Sequence, residues 1–172
     1  MLGGMSDDIV RPQTRLGGLL VSEEAVYGLI LVAGMVIVGS ENSDEAWETM
    51  LTVLITVLVF FAAHVYAGTL SRMAEGRGAS IARSLRGAIH HSIGLLIVAV
   101  PPLAVLVLGA SGVMDSEAAV WLALLITLVL LVIDGWLMTA ARTASFWERV
   151  LGAVISGAFG AVLILLKVLI HH

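Results

Sequence analysis

The ionisable side chains that fall inside or at the edges of long apolar runs are few: Glu23, Glu24, His64, His90, His91 and Asp134. An acid or imidazole within a membrane span costs about 2.5–3.5 kcal/mol on insertion scales, so each is first a candidate functional residue. Carboxylate and imidazole together can relay protons, because histidine changes charge at about pH 6.5 and its neighbours move that point across the physiological range. The same groups are ligands for divalent transition metals, but a compact motif such as His-Glu-x-x-His is missing and the metal is left unassigned. With a helical rise of about 1.5 Å per residue, His64 and Asp134 each lie roughly 9 Å inside the nearer boundary of their spans, and Glu24 roughly 7 Å. Glu24, His64, His90 and Asp134 therefore form the expected layer for an ion or proton pathway. A His64–Asp134 hydrogen bond that only ties two helices together would satisfy the same groups. Glu23, Glu24, His90 and His91 also lie close enough to a boundary to reach water as ordinary interfacial residues.

The elements that must position these residues are membrane helices. The chain has 172 residues, 59% hydrophobic and 13% charged, with mean hydropathy +1.04, which excludes a water-soluble globule. Apolar stretches at 19–39, 48–70, 89–109, 119–140 and 150–170 each approach the ~20 residues that cross a bilayer as a helix. The expected fold is an all-α polytopic bundle of five transmembrane helices, with a cytoplasmic segment 1–18 before a single transmembrane domain at 19–170. The first span is too long for a signal core, and Asp7 and Asp8 dilute its basic flank, so it is expected to stay in the mature chain. The absence of Cys excludes disulfides, thiolate metal sites and cysteine nucleophiles. A net charge of −4 argues against nucleic acid as the main partner. The expected partners are the lipid bilayer and further copies of the chain or another membrane protein, with no cofactor.

Charge sets the orientation. Arg11, Arg15, Arg72, Arg77, Arg83, Arg86, Arg142 and Arg149 share one side, whereas the opposite loops carry Glu41, Asp44, Glu45, Glu48, Asp115 and Glu117. The positive-inside rule places the arginines in the cytoplasm, the N-terminus inside and the C-terminus outside, across the cytoplasmic (plasma) membrane. Lys167, near the outer end of the fifth span, is expected to snorkel to water. Phe146 and Trp147 suit the headgroup boundary. The connection from Ser71 to His91 reads as a short basic amphipathic lead-in to the third span, whose Arg77, Arg83 and Arg86 suit anionic lipid headgroups.

A tandem repeat is also expected. Gly28-Leu29-Ile30-Leu31-Val32-Ala33 aligns with Gly94-Leu95-Leu96-Ile97-Val98-Ala99, and His64 then faces Asp134, with Arg72 and Arg142 each eight residues further on. This alignment matches Glu24 to His90 and makes helices 1–2 and 3–4 equivalent units, with the fifth added. On helix 2, Thr49, Thr52, Thr56, Ala63, His64, Ala67 and Ser71 fall on one broad face that could line a pathway or pack closely. Gly152, Ser156 and Gly160 make a close-packing face on helix 5, within the subunit or towards a neighbour. Pro101-Pro102 is expected to kink or break helix 3.

Two functions fit: a small cation or proton channel or transporter, or a non-catalytic scaffold or accessory subunit. An enzyme is the weaker reading and no catalytic residue is assigned. Asp134-Gly135 followed by Ala141-Arg142 lacks the spacing of the Asp-Gly-x-x-Ala-Arg start of lipid-headgroup transferases.

Overall fold

The computed structural model describes residues 22–43, 45–74 and 80–170. Within them the chain forms α1 (Glu23–Asn42), α2 (Ala46–Ala74), α3 (Ile81–Ala110), α4 (Ser116–Ala140) and α5 (Phe146–Ile170), with no strand. All five helices are long and apolar enough to cross a membrane. Each of the last four begins before the apolar stretch that predicted it. The difference is largest at α3, where the basic lead-in from Ile81 is part of the helix itself.

Local chemistry sets the ends. Ser22 caps α1 by accepting from the Ala25 N–H at 3.2 Å, and Glu23 and Glu24 occupy the first turn, where the helix dipole favours negative charge. Ser80 caps α3 in the same way, and the Asp115 carboxylate caps α4 by accepting from the Glu117 and Ala118 N–H groups at 3.0 and 3.2 Å. At the far end of α3, Gly112 turns left-handed (φ 73°). Its N–H then reaches the Gly109 carbonyl, and the Val113 N–H reaches that of Leu108, closing orphan carbonyls in the way glycine allows.

The helix α1 is the centre of the bundle. Half of its apolar window is buried, against 17% for α2 and 11% for α5, and it packs on α2, α3 and α4 and touches α5. The most extensive pairings around it are α2 with α3 and α4 with α5. From mid-depth towards the acidic end, the interior is apolar, with Val32, Val36, Val53, Val57, Leu95, Leu106 and Leu124 in one cluster. Leu58, Val59, Ile155 and Val162 point outward, as helices solvated by lipid require. The α3 helix runs through Pro101 and Pro102 without interruption, so of the two expected outcomes, a kink or a break, the break is absent. The neighbouring helices hold α3 together although Pro102 has no N–H to offer the Val98 carbonyl.

Without a hydrophobic force between helices in lipid, close approach depends on small residues. On α5, Gly152 faces Thr139 and the Gly135 backbone, Ser156 faces Gly135, and Gly160 faces Leu128 and Leu131. The small face of α5 is thus used inside the subunit, against α4.

Candidate functional site

Polar groups gather at both ends of α1. At the end bearing the arginines, Glu24 is buried and its Oε1 lies 2.7 Å from Nε2 of His91, whose side chain is largely exposed. This contact ties the first turn of α1 to the middle of α3. The partner is His91 rather than His90, which is exposed. Adjacent helical residues point about 100° apart, and it is His91 that shares the α1-facing side of α3 with Leu95 and Val98.

Deeper in, Asp134 is only 4% exposed, and neither of its carboxylate oxygens has a hydrogen-bond partner. It lies in an apolar pocket of about 50 Å³ with Leu29, Val98, Leu130, Ile133 and Leu137. Leu29 is five residues beyond Glu24, or roughly 7–8 Å along α1. A carboxylate buried among leucines without a donor is expensive to maintain. The wall that faces it carries Val98, whose carbonyl loses its usual helical donor to Pro102.

His64 does not complete this site. Its Nδ1–H donates to the Phe60 carbonyl of its own helix at 3.2 Å, and its ring leans on Phe60 with centroids 4.5 Å apart. It is half-buried on α2, which scarcely meets α4, so the interhelical His64–Asp134 bond is not formed. The expected polar stripe of α2 also divides: Thr49 is buried, Thr52 and Thr56 are half-buried, and Ala63, Ala67 and Ser71 are exposed. Among the described residues, no three His, Asp or Glu side chains come together as a metal ion would need. Arg83 and Arg86 are exposed on the first turns of α3, where headgroups would reach them; Arg77 lies outside the described residues.

The acidic end holds a group that the sequence reading placed in water. Lys167 is 4% exposed and donates to Ser40 Oγ at 2.9 Å and Glu41 Oε1 at 3.2 Å. Its ammonium also sits 5.8 Å from the Trp121 ring centroid, within cation–π range. The expected snorkelling therefore gives way to an inward turn that joins α5 to α1. The signal was available: Lys167 lies seven residues beyond Gly160, on the small-residue face that packs inward. Beside it opens a pocket of about 330 Å³, lined in part by Ser43, Glu45, Thr49, Asp115, Ser116 and Glu117. Comparison with protein-family models, curated proteins and solved structures finds no match.

Proposed function

We propose that the chain carries protons or small cations across its membrane, with Asp134 as the group that takes up and releases the transported charge. The observation that supports this is the Asp134 carboxylate, buried in an apolar pocket with both oxygens unpartnered. Such a site is poised for a proton or a cation and poor as a structural tie. Glu24 and His91 stand between it and the arginine end, and serve as the relay from the cytoplasm. His64 and His90 take peripheral places in this scheme, near the headgroup boundary.

A gated carrier fits better than an open channel. On α1, Val32 and Val36 lie between Leu29 and Ser40, and with Leu95, Leu106 and Leu124 they fill the axis with apolar packing. Passage past that plug needs a rearrangement, as in transporters that expose a central site to each side in turn.

The test is flux into liposomes under an imposed potential at about pH 5.5 and 7.5, either side of the histidine range, with wild type and Asp134→Asn. Flux that depends on pH and disappears in the variant is the expected result. Absence of flux in wild type overturns the reading in favour of an accessory subunit whose Asp134 meets a basic residue on a partner helix.

A further inference from the structure

The α2–α3 hairpin is longer than the helix it borders. At the acidic end the helices are level, since Gly109 of α3 packs on Ala46 and Ala119, near the starts of α2 and α4. At the arginine end, Glu24 in the first turn of α1 meets His91. The stretch of α3 from Ile81 to His90, roughly 15 Å of helix, therefore lies beyond that level. The end of α2 runs beside it, with Gly68 against Ala88 and the Arg72 side chain against Gly87. With its 20 residues α1 already spans a hydrocarbon core of about 30 Å, which puts this part of the hairpin among the headgroups.

One side of the projecting helix is cationic. At about 100° per residue, Arg86, His90, Arg83 and Gly87 follow one another within an arc of about 100°. Gly87 adds no charge of its own but admits one. A Cβ there would stand 3.1, 3.3 and 3.6 Å from Nη1, Cζ and Nε of Arg72, so the guanidinium from α2 lies over the bare backbone and joins the arginines of α3. Arg72 is half-buried in this position, and Arg83 and Arg86 are exposed. None of the three pairs with a carboxylate among the described residues. The adjacent arc is apolar and runs down into the membrane, through Ile89, Ile93 and Val100, of which Ile89 is 40% and Val100 61% exposed.

We propose that this face of the α2–α3 hairpin holds an anionic phospholipid, with Arg72, Arg83 and Arg86 on its phosphate oxygens and an acyl chain along Ile89, Ile93 and Val100. The forked donors of guanidinium match phosphate oxygens. The apolar arc below favours a lipid over a free phosphate, which has nothing to place there. Basic residues at a membrane surface attract any anionic leaflet; what makes a site of these is the third guanidinium, brought from a second helix and seated where only a glycine leaves room.

The experiment is native mass spectrometry of the full chain in detergent micelles, titrated with phosphatidylglycerol and, separately, with phosphatidylcholine of the same acyl chains. The first phosphatidylglycerol should bind at least tenfold more tightly than the first phosphatidylcholine. Arg83→Gln and Arg86→Gln should each weaken it about fivefold, the size expected for one basic residue near an anionic headgroup, and leave phosphatidylcholine unchanged. Gly87→Leu keeps every charge and improves helix propensity, but takes the space under Arg72, and should also cost about fivefold. Arg142→Gln removes one exposed charge just past α4, at the same end of the bundle but outside this face, and should change little. Equal binding of the two lipids overturns the proposal. So does a loss in Arg142→Gln equal to those in the α3 arginine variants, or an unchanged affinity in Gly87→Leu, because either means that charge number alone decides. Displacement of phosphatidylglycerol by glycerol phosphate at equal concentration would assign a soluble phosphate and overturn the lipid. Lipid binding is read without flux, so the result stands apart from the transport reading.

Discussion

Replacing Asp134 by leucine should stabilise the protein while abolishing the transport proposed above. Aspartate and leucine share the same branched skeleton, so the substitution changes polarity with little change of shape. The pocket beside Asp134 has about 50 Å³ to spare and is walled by Leu29, Val98, Leu130, Ile133 and Leu137, so the added hydrogens have room. An unpaired buried polar group costs about 1–3 kcal/mol, and an apolar group of equal shape removes that cost. Insertion scales put the difference between aspartate and leucine at mid-span near 3–4 kcal/mol, but part of it is shared by the unfolded helix in the membrane. The expected gain in folding free energy is therefore about 1–3 kcal/mol. It is measured by equilibrium denaturation with SDS in mixed micelles, followed by the fluorescence of Trp121 and Trp136. Asp134→Asn, which keeps a polar group in the same place, should shift the midpoint little. A loss of more than about 1 kcal/mol in Asp134→Leu would show that the carboxylate holds the fold together, and the argument for a functional site would fail with it.

Other outcomes can be checked with the same preparation. A Cβ at Gly135 would come within 2.5 Å of the Gly152 carbonyl, so Gly135→Ala must push α5 off α4 and should cost about 1–3 kcal/mol; Gly34, with open space around it, should gain up to about 1 kcal/mol as Ala. Equal effects at the two glycines in SDS denaturation would remove the case for a tight α4–α5 seam. Lys167→Met removes the buried ammonium that donates to Ser40 and Glu41 and should lower stability by about 1–2 kcal/mol; an unchanged midpoint would count against the inward lysine. In the flux assay, His91→Gln should slow transport at least fivefold while His90→Gln leaves it nearly intact, since His91 is the one that contacts Glu24. The reverse order would refute the relay. Ser80→Ala should speed hydrogen exchange in the first turn of α3 about fivefold, equivalent to ~1 kcal/mol of lost capping.

The helices were legible in the sequence; their azimuth was not. A hydropathy window places a residue along the membrane normal, and on that axis Glu24 and Asp134 were located well enough to be singled out. Which neighbour each would meet depends on helix rotation and adjacency, and low-complexity spans of Leu, Val and Ala encode these weakly. His90 and His91 are indistinguishable by depth, yet packing turns only one towards Glu24. His64 and Asp134 match in depth and still belong to helices that barely touch. Prolines 101 and 102 did not break α3, since the rule against proline assumes that a helix must satisfy its own carbonyls, and a helix wrapped by neighbours is less constrained. The small-residue face of α5 was readable as packing, and extending it by two turns would have reached Lys167. Thr49 was read as part of a stripe, and only the missing partner of its buried hydroxyl sets it apart.

Both charged ends of α1 are completed by parts of the chain that are synthesised much later. The partner of Glu24 is on α3, and the partner of Glu41 lies 126 residues downstream, on a helix that joins the rest mainly through one glycine seam. During translation Glu24 must therefore wait for α3 to bring His91, and the acidic end of α1 for α5 to bring Lys167. A nascent chain without α5 would lack the Lys167 wall of the larger pocket. Assembly of the acidic end thus waits on the docking of α5, whose Lys167 must reach Ser40 and Glu41 across the bundle.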